Sequence, residues 1–194
     1  NNKYFVKFML ISYNHFLKNF MRNNNMSKIG IIVASSNNNL KLGLKFQELA
    51  KELNVETELI NLVDYNLPLY STNEEEKNGV PESALDLATK IMDLKAFIIV
   101  APEYNGVMPP VLNNAMAWTS RSTKNWRDAF DDKDVALATH SGGGGQKGLQ
   151  AMRIMFQHLG ANILAREILT TYEKALNEDS AKLVIKKLAN LAKA

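Results

Sequence analysis

Apolar residues along this chain fall into two alternating kinds of run. Short continuous blocks rich in β-branched residues read as buried parallel strands. They are Ile29 to Ala34, Val55 to Leu62, a block opening at Ala96 and breaking at Pro102, Val135 to Thr139, and Ile163 to Thr170. Between them the apolar positions take helical spacing. Leu42, Phe46, Leu49 and Leu53 mark a helix over Asn39 to Leu53. Further helices are predicted over Pro81 to Asp93, with Pro81 in the first turn, then after Pro110, over Gly148 to Leu159, and over Glu178 to Ala192. Polar stretches connect these elements. Ser71 to Gly79 is acidic and reads as a mobile connection, and Arg121 to Lys133 is a long one containing Trp126. Strand and helix alternate five times, which predicts an α/β fold: a parallel sheet with helices on both faces.

The most informative stretch runs from Ala96 to Trp118. A buried strand ends at Pro102. A loop with a carboxylate, a ring and an amide follows, and Pro109 and Pro110 then open a helix. Ligands of open α/β sheets bind at such carboxyl ends. Pro102, Glu103, Tyr104, Asn105, Pro109, Leu112, Asn114 and Trp118 closely resemble the motif of the NADPH-dependent FMN reductase family. The helix asparagine aligns as Asn113 or Asn114, and Asn114 keeps the usual spacing to the tryptophan. The resemblance covers Lys28 to about Ala165. It implies a flavodoxin-like three-layer fold with a five-stranded parallel sheet in the order 2-1-3-4-5, whose switch point lies between strands 1 and 3.

Three loops follow strands 1, 3 and 4 and converge on one sheet edge. In Ser35-Ser36-Asn37-Asn38-Asn39-Leu40, hydroxyls, amides and backbone N–H groups at a helix start suit a phosphate. Plain helix capping is the other reading. Against the family pattern, Ser35 aligns with the first serine, Asn37 with the second and Asn39 with the asparagine. The loop is about three residues short and lacks an arginine, so a charge-assisted phosphate contact is lost unless Lys41 or Lys45 reaches round. Pro102 to Gly106 resembles the family's wall for the flavin ring, with Glu103, Tyr104 and Asn105 around it. The resemblance equally allows Glu103 a subunit-interface role. Ser141, Gly142 and Gly143 resemble the family's Ser-Gly-Gly segment, where glycine lets backbone approach a flat ring. That loop matches neither a Walker motif nor a dinucleotide fingerprint. His140, beside it, reads as structural before it reads as a proton donor.

Composition narrows this picture. A chain of 194 residues fits one domain with a sizeable core. It has no cysteine, which excludes disulfides and thiolate chemistry and suits a reducing cytoplasm. His15, His140 and His158 are too scattered for a metal site. The net charge of +3 originates in residues 1–25, where Lys3, Lys7, Lys18 and Arg22 have no acidic counterpart. The rest holds 19 basic and 20 acidic residues and carries no nucleic-acid footprint. Residues 1–25 read as an extension outside the domain, which is expected over residues 26–194; an extra helix packed on the domain and a membrane-surface segment are the other readings. Their apolar run, Phe5 to Ile11, is interrupted by Lys7 and too short for a membrane span. Asp131 to Asp134 reads as a solvated turn. Met116, Met152, Met155 and Phe156 read as core or as a contact between subunits.

Together these features imply an FMN-dependent oxidoreductase with NADPH or NADH as hydride donor and a small-molecule electron acceptor. Quinones, azo compounds or free flavin are the acceptors the resemblance suggests, reduced by ping-pong hydride transfer. The flavin carries the chemistry, so no side chain is expected as catalytic acid or base. A homodimer or homotetramer in the cytoplasm is expected. The alternative is a non-catalytic flavodoxin-like electron carrier or partner-binding domain, supported by the shortened phosphate loop.

Overall fold

The computed structural model describes residues 28–193; the expected extension over residues 1–25 lies outside them. The elements in chain order are β1 (Ile29–Val33), α1 (Asn38–Glu52), β2 (Thr57–Asn61), a 3-10 turn (Leu62–Tyr65), α2 (Thr72–Asn78), α3 (Glu82–Asp93), β3 (Ala96–Val100), α4 (Pro110–Arg121), β4 (Asp134–His140), α5 (Gln146–His158), β5 (Asn162–Ile163), β6 (Ile168–Thr170) and α6 (Glu178–Leu191). The sheet is parallel throughout, in the order β2-β1-β3-β4-β5, with β6 also paired to β4. This is the predicted α/β, flavodoxin-like arrangement.

The apolar blocks form central strands because helices cover both sheet faces. Every residue of β1 and β3 is buried. Side chains alternate between the faces. Ile29, Ile31, Val33, Ile98, Val100, Ala136 and Ala138 pack with α1 and α6. Ile32, Phe97, Ile99, Val135 and Leu137 pack with α3, α4 and α5. Met116, Met152 and Phe156 are buried in this second layer, and Met155 packs against it. They fill the chain's own core, so they supply no argument for a subunit contact. The long connection contributes Ala129 and Phe130 to the same layer, where Phe130 meets Phe97 and Phe156.

Two sequence expectations change. The fifth strand is not continuous over Ile163 to Thr170. β5 pairs with the start of β4 and β6 with its end, and residues 164–167 bulge out between them. Arg153 on α5 stabilises the break. Its Nη2 donates to the Leu164 carbonyl (3.1 Å) and to Glu167 Oε1 (2.7 Å). Charged Arg166 and Glu167 in the middle of the apolar block were the signal for it. Residues 71–79, expected as a mobile connection, instead hold the helix α2. Ser71 Oγ accepts the Glu74 N–H (3.1 Å), and Ser71-x-x-Glu74 is the spacing of a capping box. Glu75 anchors the helix through Arg121 Nε (2.9 and 3.0 Å) and the Tyr70 hydroxyl (3.1 Å).

The helix asparagine and tryptophan of the α4 motif act on the chain between β2 and α2. Trp118 Nε1 donates to the Pro68 carbonyl (2.7 Å). Asn114 Nδ2 donates to the same carbonyl (3.0 Å), and its Oδ1 accepts the Tyr70 N–H (2.8 Å). Asn113 is exposed, so Asn114 is the asparagine that does this. Lys133, just before β4, caps α3: its Nζ donates to the carbonyls of Ile91 and Met92 (2.8 and 3.0 Å). Burial, aided by the nearby charge of Lys95, pushes this amine down to about 8.

Trp118→Phe keeps the ring in the core and removes the N–H that holds the Pro68 carbonyl. Urea unfolding should show a loss of about 1–2 kcal/mol. The Lys133 amine releases its proton near pH 8 in the folded chain and at about 10.4 when unfolded. Between these values the unfolded chain holds the extra proton, so this residue's contribution to stability rises with pH. Denaturation at pH 7.5 and 9.5 should show wild type gaining stability relative to Lys133→Met at the higher pH.

Candidate functional site

The carboxyl ends of β1, β3 and β4 lie side by side, so the three polar loops share one sheet edge. Backbone bonds hold the edge in step: Ala34 N–H donates to the Val100 carbonyl (3.0 Å), Ala101 N–H to Ala138 (3.2 Å), and Ser141 N–H to Thr170 (3.0 Å). The larger depression near Leu44, Lys51 and Glu56 lies where β2 begins, at the opposite edge.

In the first loop Ser35 is buried, and its Oγ accepts the Asn37 N–H (3.1 Å). Ser36 and Asn37 are exposed. Asn37 precedes α1 without a side-chain cap, and no acidic residue sits in the first turn. The first N–H groups of a helix have no partner within it, so this helix presents bare donors and the positive end of its dipole to the loops. Leu40 packs inward against the α1–α6 core. Asn39 is buried and fully occupied: Nδ2 donates to the His140 carbonyl (2.8 Å), and Oδ1 accepts the His140 N–H (2.7 Å). Its amide therefore fastens the first loop to the end of β4. Lys45 pairs with Glu178 (3.0 Å) and Glu48 (3.2 Å), and Lys41 lines a separate concavity on the α6 side. Neither replaces the absent arginine at the loop.

Pro102 is buried and ends the strand. Tyr104 and Val107 exchange both backbone hydrogen bonds (2.9 and 3.0 Å) around Asn105 and Gly106, whose φ angles are 53° and 77°. Two successive positive φ values are the signature of a type I′ turn, for which Asn-Gly is the favoured pair. The turn holds Tyr104 half-exposed at the rim. Glu103 turns back into the protein and accepts the Gly148 N–H (2.8 Å) near the start of α5. A negative carboxylate suits that helix end. A Cβ at Gly148 would lie 2.9 Å from Glu103 Cβ, so only glycine admits this approach. Glu103 is a brace between the loop after β3 and the first turn of α5.

In the third loop Ser141 is buried, and its Oγ accepts the Gly143 N–H (3.2 Å). Gly142 and Gly143 are exposed, and a Cβ on Gly143 would meet nothing within 4 Å. The backbone there is open to a flat ligand. His140 Nδ1 lies 3.1 Å from Thr170 Oγ1, which itself donates to the Thr139 carbonyl (3.2 Å). His140 Nε2 is buried without a partner. Strand alternation sends this ring toward α1 and α6. Sequence reasoning missed Tyr172. This exposed ring follows β6, stands edge-on to His140 and is in contact range of the Asn38 amide (3.4 Å). Its place beyond the fifth strand position was the signal for it, because that strand ends on the same edge.

The arrangement offers bare N–H donors for a phosphate, and an exposed ring and open glycine backbone for a planar group. Among the described residues no group of acidic or histidine side chains could hold a metal, and no helix is long and apolar enough to cross a membrane.

Comparison with known proteins points the same way. The family model described as NADPH-dependent FMN reductase matches residues 27–174. The uncharacterized MG342 homolog of Mycoplasma pneumoniae is 29% identical over 151 residues, covering 76% of this chain and 90% of that protein. The quinone reductase of Escherichia coli K12 is 38% identical over 56 residues, covering 29% of this chain and 30% of the enzyme. Among solved structures, the flavoenzyme NAD(P)H:(acceptor) oxidoreductase FerB of Paracoccus denitrificans superposes with a TM-score of 0.69. It is 21% identical, over 86% of this chain and 97% of that one, and this likeness concerns the fold.

Asn39→Ala leaves the part-buried His140 N–H and carbonyl unpaired. Stability should fall by about 1–3 kcal/mol, read from the midpoint of denaturant unfolding. A change below the error of that measurement would mean that the two loops are not held by this amide.

Proposed function

The chain belongs to the NADPH-dependent FMN reductase family, and we propose that its three loops bind FMN for ping-pong transfer of a hydride from NADPH or NADH to a quinone. The observation that carries this is the uncapped amino terminus of α1 beside the half-exposed Tyr104 and the open backbone of Gly143. Ser36, Asn37 and the first N–H groups of α1 would hold the terminal phosphate. One helix terminus serves one terminal phosphate, which favours FMN over FAD. Tyr104 and Asn105 would border the ring, and Gly142 and Gly143 would let backbone lie against it. Bound there, FMN supplies the two-electron chemistry, and the protein supplies placement and electrostatics.

Two side chains with acid–base chemistry at this edge, Glu103 and His140, have other duties. Glu103 braces α5, and His140 is tied to Thr170 on the far side of the sheet end. This supports a reaction in which donor and acceptor occupy the same flavin face in turn, with neither Glu103 nor His140 as proton donor. Azo compounds and free flavin are further acceptors for the same site.

Titration of flavin-free protein should show saturable binding of FMN and weaker binding of FAD, followed by flavin fluorescence. Initial rates at several fixed quinone concentrations should give parallel double-reciprocal lines. Tyr104→Ala should weaken FMN binding or slow turnover by about tenfold, because ring placement sets the reacting distance. Intersecting lines would replace the ping-pong scheme with a ternary complex, and absence of FMN binding would remove the cofactor assignment.

A further inference from the structure

Tyr172 is 78% exposed, yet its position is fixed from both sides along the chain. Before it, the Ser141 N–H donates to the Thr170 carbonyl (3.0 Å) and roots the segment at the end of β4. After it, the chain closes on itself. Thr171 Oγ1 accepts the N–H groups of Glu173 and Lys174 (3.1 and 3.0 Å), and the Thr171 N–H donates to the Lys174 carbonyl (2.9 Å). This turn holds the ring out at the sheet edge instead of letting it fold into a core.

The ring reaches two of the three loops. It stands edge-on to His140, with centroids 5.2 Å apart, and a Cβ at Gly142 would come within 3.5 Å of its Cε2. At its far end the hydroxyl lies 3.4 Å from Nδ2 of Asn38, the first residue of α1. Tyr172 therefore spans the gap between the glycine loop and the amino end of α1, where the bare N–H donors are. The amide nitrogen is the donor in that contact, so the hydroxyl keeps its own hydrogen. A phenol in this place can accept from Asn38 and donate to a group seated at the helix terminus.

The first loop has no charged side chain of its own for such a group. Lys45 is held by Glu178 and Glu48, and Lys41 lines the groove on the α1–α6 side. We propose that Tyr172 is a phosphate-binding residue of the FMN site, its hydroxyl donating to the terminal phosphate seated on α1 where the family pattern has an arginine. The proposal rests on the FMN reading of the three loops and extends the site to a fourth segment, after β6. A hydroxyl that donates to an ionised oxygen makes a short, charge-assisted bond. A neutral donor thus restores part of what the missing arginine would supply.

The test is titration of the flavin-free full chain with FMN and with riboflavin, which has the same ring and no phosphate, followed by flavin fluorescence. Wild type, Tyr172→Phe and Tyr172→Ala are compared. Tyr172→Phe keeps the contacts with His140 and Gly142 and removes only the hydroxyl, so its melting temperature should match wild type. Its FMN affinity should fall about tenfold, while its riboflavin binding equals that of wild type. Tyr172→Ala should weaken FMN binding at least as much. Undiminished FMN affinity in Tyr172→Phe would overturn the assignment of the hydroxyl. Equal losses for FMN and riboflavin would also overturn it, because the residue would then act on the ring or the sugar chain and not on the phosphate. Both results leave the FMN reading standing. A wild-type chain that binds no FMN would remove that reading, and the role of Tyr172 with it.

Discussion

Burial of the central parallel strands on both faces is the constraint from which the rest of this structure follows. β1, β3 and the middle of β4 are apolar toward both helix layers. No polar group can therefore be displayed on a sheet face without disturbing one of the two cores. Backbone leaving the hydrogen-bonded ladder must do so at the strand ends, where it meets water or a ligand. The strands run parallel, so the three carboxyl ends that matter lie together, and the loops leaving them become neighbours.

Much of the polar equipment of those loops holds the loops themselves. The Asn39 amide reads both backbone groups of His140, Glu103 caps α5 across to Gly148, and Ser35 and Ser141 each close a short turn onto a following N–H. Asn114 and Trp118 do the same in the adjoining helix layer, fastening the Pro68 segment to α4. What remains for a ligand is chiefly backbone: the first turn of α1, the Asn105–Gly106 turn and the glycines after Ser141. A site of this kind suits a cofactor that brings its own reactivity, because rigid placement of donors and of an aromatic rim is what such a group needs.

The same economy explains why the missing arginine leaves the architecture intact. A helix terminus without a cap still offers oriented N–H groups and a favourable dipole. Lys41 on α1 and Lys174 after β6 line a separate groove on the α1–α6 side.

The sequence by itself determined the alternation of elements, the strand order through its family resemblance, and the position of the three loops at one edge. Those features depend on local periodicity and on the few ways a βαβ chain can be wound. The Asn105–Gly106 turn and the Ser71 cap of α2 were also written locally and could have been read from their residue pairs. Tertiary structure alone decided which polar side chains stay available. Glu103, Asn39 and His140 look equally free in sequence. Their partners lie 45, 101 and 30 residues away, and only the folded edge brings them together. The break between β5 and β6 was decided in the same way, because Arg153 on a neighbouring helix satisfies the Leu164 carbonyl that the ladder releases. Periodicity records which face of an element is apolar, but long-range hydrogen bonds decide what each polar group at the edge can still do.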